Sequence, residues 1–385
     1  MSEYQYYEFR AVDVPLTKQQ MAELRDCSTR AEISPTGFVN YYNWGDLKGD
    51  PDQWMEKYFD AHLYLANWGT RVLKLRLPER LLDPDIADDY CEDEWFSCRT
   101  KGDHLIFSFH SEEEDTDWDD EEGWLGALVL LRSDLMQGDY RCLYIGWLLA
   151  VQQGQLDDDD TEPPVPAGLG ALNAPLETLV EFLRIDRDLV TAAAERSGKK
   201  PAGGLASEDI SRWVTGLPPE EKDAALIKLL EGDDPHFAVE FRHRALSEIR
   251  AEGEAESGPQ KDKPRSVGEL LARTEVIYQQ RRKREAEQHA HDKALREQAE
   301  AAERKRYLEL LAGKENALWA EVDALIARKH AAPYDEAVRL LKDLRDLSKM
   351  QGNASEFKQR MRDLYREHEN RTALTKRYDE AKLLD

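Results

Sequence analysis

Residues 279–306, QQRRKREAEQHAHDKALREQAEAAERKR, contain no glycine or proline and a single large apolar side chain, Leu295. Nothing in this stretch breaks a helix and almost nothing in it can fill a core, so it reads as a solvated helical arm. Oppositely charged side chains recur at helical spacing, as with Glu300 and Arg304 or Glu285 and the earlier Arg281, which supports a helix in water. Upstream, Ser266-Val-Gly-Glu269 has the pattern of a capping box, and Leu270, Leu271, Ile277 and Tyr278 give the first turns an apolar face. That face fades across the arm and returns at Tyr307, Leu308 and Leu311. A continuous helix over 267–311 spans ~65–70 Å at ~1.5 Å per residue. Its thin seam makes 266–312 a spacer or weak coiled coil.

The arm separates unlike halves. Residues 1–260 hold 54 acidic and 25 basic side chains, a net −29, whereas residues 261–385 hold 24 and 28, a net +4. A region charged like the first half repels phosphate backbones and suits a basic protein surface. The 385 residues allow two or three domains. No run of 18 apolar residues is present, and the start, MSEYQYYEFR, lacks the basic and apolar parts of a secretory signal. The expected location is the cytoplasm, with no membrane partner. Cys27, Cys91, Cys98 and Cys142 are scattered, which fits reduced, half-buried thiols and neither a disulfide framework nor a zinc finger.

Residues 1–156 read as an acidic α+β domain. Tyr4–Arg10, Phe38–Trp44, His62–Asn67 and Arg71–Leu77 are strand-like, and helices start at the Thr17–Gln20 capping box and at Asp50-Pro51. Trp95–Thr100 and His104–His110 form a hairpin turning through Lys101-Gly102-Asp103. With Thr100 opposite His104, residues Trp95, Leu105, Phe107 and Phe109 share one face, and Cys98, His104, Ser108 and His110 share the solvated one. Trp124–Met136 and Tyr140–Gln152 read as buried helices. Residues 157–172 are acidic and proline-rich, a linker. Residues 173–250 are short helices that must pack on one another, with Ala225, Leu226, Leu229 and Leu230 forming one stripe. Residues 251–265 form a flexible linker. Residues 313–385 form a small helical hairpin or bundle: one helix stops near Pro333, the next ends at Gly352, and the last is capped by Ser355. The fold class is thus α+β, then all-α, then a long charged helix and a small C-terminal bundle.

The stretch YDEAVRLLKDLRDL (334–347), with GNASEFKQRMRDLYREH (352–368) and the ending KRYDEAKLL, resembles a helical tail found at the C-terminus of some bacterial proteins, including ones that carry SWIM-type zinc fingers. The resemblance covers about 50 residues and implies a bacterial origin and an interaction role for the tail. The SWIM element itself, CxC followed by CxH, is absent, so neither zinc nor DNA binding comes with it.

Candidate interaction residues fall in two places. The tract 112–122 supplies Glu112, Glu113, Glu114, Asp115, Asp117, Trp118, Asp119 and Asp120. It departs from a calcium loop at the sixth position, Asp120, and the twelfth, Gly126. It suits a solvated loop or docking of a basic surface with Trp118 as anchor. Arg281, Arg282, Lys283 and Arg284 form the basic cluster, without aromatic stacking partners as far as Lys305. His104 and His110 share a strand face but lack an evident third ligand. The carboxylates around Asp83–Glu94 raise a nuclease-like set. No GxxxxGK, GxSxG or HExxH motif occurs, and no cofactor is expected. The expected role is a non-enzymatic adaptor whose acidic head meets a basic partner and whose tail packs on helices of another subunit. The alternatives are a nucleic-acid-associated subunit using Arg281–Arg284, and a metal-dependent hydrolase using His104 and His110.

Overall fold

The computed structural model describes residues 4–92, 94–112, 123–199, 207–254 and 264–384. It divides into two compact units, Met1–Arg281 and Arg282–Asp385.

The first unit is built on a seven-stranded antiparallel sheet of order β2-β3-β1-β4-β5-β7-β6. The strands are β1 Gln5–Arg10, β2 Glu32–Ser34, β3 Gly37–Tyr42, β4 Ala61–Ala66, β5 Arg71–Pro78, β6 Phe96–Lys101 and β7 His104–Ser111. Helices α1 (Lys18–Cys27) and α2 (Pro51–Lys57) cover one face; α3 (Pro84–Asp88), α4 (Trp124–Leu128), α5 (Leu130–Met136) and α6 (Arg141–Gln152) belong to the other side. The two covering helices start as their sequences dictate. Thr17 accepts from the Gln20 amide at 3.2 Å while the Gln20 side chain accepts from the Thr17 amide at 2.8 Å, and Asp50 caps α2 ahead of Pro51.

Strand alternation splits the apolar residues between two cores. Phe9, Phe38 and Ile106 pack on Leu24, Trp54 and Met55 beneath α1 and α2. Leu63, Leu73, Leu75, Phe107 and Phe109 pack on Leu128, Leu131 and Leu148 on the opposite side. Helices α7 (Ala174–Phe182) and α8 (Arg187–Ala194) extend this second core. Gly146 lets α6 approach the sheet: a Cβ there would lie 2.6 Å from the Phe96 ring.

The hairpin register differs by one residue from that expected. Lys101 pairs with His104 and Thr100 with Leu105, leaving a two-residue turn with Gly102 at φ +59°. Glycine at the first central position suits such a turn, whose twist matches the strands. Cys98 therefore joins the face of Phe107 and Phe109, and Trp95 moves beside His110, with ring centroids 5.6 Å apart. The second face is not simply solvated, because Ile106 is buried in the α1–α2 core.

The stretch 157–172, expected to be a linker, is tied down. The Val267 and Gly268 amides donate to Asp160 and Asp158, and Glu162 donates its amide to Arg265, each at 2.9 Å. Beneath these bonds Arg265 grips the buried Glu162 carboxylate, so the start of α12 (Val267–Leu311) is fastened to the sheet unit. Between them lie α9 (Ser207–Gly216), α10 (Pro219–Glu231) and α11 (Phe237–Glu254). Helix α12 is unbroken from 267 to 311 and crosses the boundary between units; its residues 282–303 are exposed.

The second unit contains α13 (Glu315–Ala327), α14 (Ala331–Gln351), α15 (Ala354–Glu367) and α16 (Thr372–Glu380). Val322, Ile326, Leu341, Met361, Leu374 and Tyr378 form its centre. Two boundaries depart from expectation. Pro333 lies in the first turn of α14, where a missing N–H costs nothing; α13 stops earlier, before Lys329 at φ 58°. Asn353, not Ser355, occupies the cap position of α15, and the terminal helix is split in two around residues 368–371.

Candidate functional site

The sequence candidates do not assemble into one site. Of the acidic tract, Glu112 is described and meets His110 at 3.1 Å; Glu113, Glu114, Asp115, Asp117, Trp118, Asp119 and Asp120 lie outside the described residues. In the basic cluster, Arg281 is spent internally. It forks onto Asp188 at 2.8–3.1 Å and stacks over Tyr278. Lys283 lies 3.9 Å from Glu287, one turn along the helix, and Arg282 and Arg284 are exposed. His104 and His110 sit six positions apart on β7, about 20 Å at strand rise, too far to share a metal ion. Asp83 caps α3 through the Asp85 amide. Among the described residues no three His, Cys, Asp or Glu side chains converge as metal ligands.

A buried charged cluster forms instead where local sequence pattern does not reveal it. Asp60, just before β4, accepts from the Val12 and Asp13 amides at 2.7 and 2.9 Å and from Arg76 at 2.7 Å. Arg132 of α5 forks onto Asp13 and donates to the Arg76 carbonyl. His236 completes the group, with Nε2 2.9 Å from Asp13. Burial pushes the Asp60 carboxyl up, but Arg132, Arg76 and the Asp13 amide outweigh it and hold it below the usual range. Every carboxylate here already has its donors, so the cluster works as a clamp. With Arg80 bound to Asp234 and Glu240, it fastens the α9–α11 segment to the sheet.

That fastened segment presents an exposed apolar surface. Its inner side is closed by Trp213, Phe237 and Phe241, with ring centroids 5.2 and 5.8 Å apart. Trp213 donates to Glu248 at 2.7 Å, and Arg244 bridges Glu221 and Glu248. Helix α10, however, buries only Ala225. Leu226, Ile227, Leu229 and Leu230 are 58, 54, 45 and 86% exposed, and at 100° per residue they occupy one arc of about 160°. Ile210 and Val214 of α9 are exposed as well. Of the expected inward stripe of Ala225, Leu226, Leu229 and Leu230, Ala225 is buried and the three leucines face outward. The available signal was the width of the pattern, since AALIKLL has more apolar residues than one packed stripe needs.

A cleft of about 590 Å³ lies between the end of α1 and β3, lined by Ser28, Asn40, Tyr42 and Trp44 among others. Its buried amide, Asn40, is already bonded to Ser28 at 2.8 Å. No described helix is long and apolar enough to cross a membrane. Comparison with protein-family models, curated proteins and solved structures finds no match.

Proposed function

We infer that the protein is a non-enzymatic adaptor, binding partners through surfaces rather than transforming a substrate. The observation that carries this reading is the exposed arc of Leu226, Ile227, Leu229 and Leu230 on α10. Singly exposed aliphatic residues are ordinary; four on one short helix mark an interaction surface. The alternatives draw less support. Arg281 is committed to Asp188, which weakens a phosphate-binding role for the basic cluster. The separation of His104 from His110 weakens the hydrolase reading. In the adaptor reading the acidic first half engages a basic partner, the charged helix acts as spacer, and the C-terminal helices pack on another subunit.

The test is quantitative capture from native extract with the full chain and with Leu226→Ser/Leu230→Ser. Both positions are exposed, so circular dichroism and melting should match. The adaptor reading expects at least one partner retained by the native chain to be lost from the variant. An identical captured set from both proteins would overturn α10 as the binding face.

A further inference from the structure

We propose that the α10 face takes a cationic amphipathic helix from another protein. This rests on the adaptor reading and names the chemistry of its partner. The 13 residues of α10 extend about 20 Å, a length matched by three to four turns of a partner helix laid along the apolar arc.

The charges around the arc choose among possible occupants. Both lysines of α10 are turned back onto the protein: Lys222 donates to the Thr215 carbonyl at 2.9 Å, and the Lys228 ammonium lies 5.2 Å from the Phe237 ring centre. Among the acids Glu221 is likewise held, by Arg244, but the others are not withdrawn in this way. Glu220, Asp223, Glu231 and Asp233 are all exposed. On the helix wheel Asp223 continues the apolar arc one turn toward the N-terminus, and Glu220 and Glu231 flank the edge that carries Ile227. The face is thus aliphatic in the middle and negative at its margin. A partner with leucine-like residues on one side and lysine or arginine along the edges satisfies both parts. A second copy of this chain, net −25, would set acid against acid. An anionic membrane surface would be repelled in the same way.

The experiment uses the full chain and three helical probe peptides of roughly four turns, each with leucines on one face. The remaining positions are lysine, glutamine or glutamate. Binding is followed by fluorescence anisotropy at about 50 and about 300 mM salt. The expected order is lysine over glutamine over glutamate, with the lysine peptide weakened about tenfold by salt. Leu226→Ser/Leu230→Ser should abolish binding. Glu220→Gln/Asp223→Asn/Glu231→Gln should remove the preference for lysine while leaving the glutamine peptide's affinity unchanged.

Equal binding of the lysine and glutamine peptides overturns the cationic partner and leaves the adaptor reading standing. Failure of all three peptides overturns α10 as a helix-binding face, and the adaptor reading is then judged by the capture experiment alone. Lysine-peptide binding that survives the leucine substitutions is general attraction to an acidic protein, and overturns the proposal. So does concentration-dependent dimerisation in sedimentation, or binding to phosphatidylglycerol vesicles, when either is lost in Leu226→Ser/Leu230→Ser.

Discussion

Both carboxylate oxygens of Glu162 accept from Arg265, at 2.6 and 2.9 Å, and the two side chains are 2 and 6% exposed. Glu162 also takes the Tyr144 hydroxyl, and Arg265 reaches the Ala192 carbonyl at 3.0 Å. The pair joins residues 103 positions apart in sequence and fixes where α12 leaves the sheet unit.

A buried pair of this kind is costly to break and cheap to replace as a whole, because its attraction mainly offsets desolvation. Arg265→Met alone strands the carboxylate and should cost ~3–5 kcal/mol in urea unfolding. Glu162→Gln/Arg265→Met keeps an acceptor for Tyr144 without a buried charge, and should recover more than half of that loss. Simple addition of the single-variant costs would show that the two side chains are not coupled.

His62 makes the first unit sensitive to acid. Its ring is buried and stacked on Phe9, centroids 3.9 Å apart, and desolvation, with Lys74 nearby, pushes its pKa down to about 3. Below about pH 6.5 the unfolded chain takes a proton that the folded one refuses until about 3. Stability from this group is therefore complete above 6.5 and falls as the pH drops toward 3, by up to ~1.4 kcal/mol per pH unit. His62→Phe should flatten the fall between pH 6.5 and 4 by that slope. Parallel pH profiles for the two proteins would refute the assignment.

These two groups also show what could be read in advance. The caps at Thr17 and Asp50 were legible because each is closed within four residues, and the apolar texture of α6 announced its burial. The clamp of Asp13, Asp60, Arg132 and His236 was not, since its members meet only after the chain has folded. The hairpin faces failed on a single residue of register: counting Lys101 into the turn sent Cys98 to the wrong side. Helix α10 failed differently. Its helical periodicity was evident, but periodicity does not say which side of a wide apolar arc meets the core. Arg281 likewise reads as part of a basic cluster until Asp188 is brought beside it.

The closeness of α6 to β6 predicts an unusual response to a helix-favouring substitution. Gly146→Ala gains about 1 kcal/mol of helix propensity, yet its methyl would meet the base of the fully buried Phe96 ring at 2.6 Å. Phe96 is stacked on Phe109 at 4.5 Å and has no free side to move toward. Overpacking of about 1–3 kcal/mol should prevail, lowering the thermal midpoint. Gly146→Ala/Phe96→Leu should regain part of the loss by vacating ring volume. A single variant at or above native stability would mean that α6 can lift from the sheet.

The contrast between α10 and α6 gives the last test. Leu230 is 86% exposed and Leu148 fully buried, although each lies on a helix rich in leucine. Leu148→Ala should cost ~2–5 kcal/mol, the transfer term plus the cavity. Leu230→Ala should stay within about 0.5 kcal/mol, since its side chain is already in water. Were Leu230→Ala to cost as much as Leu148→Ala, α10 would be packed in solution and could not offer a free binding face. With the expected difference, any binding lost on changing Leu230 reports the surface itself and not the fold beneath it.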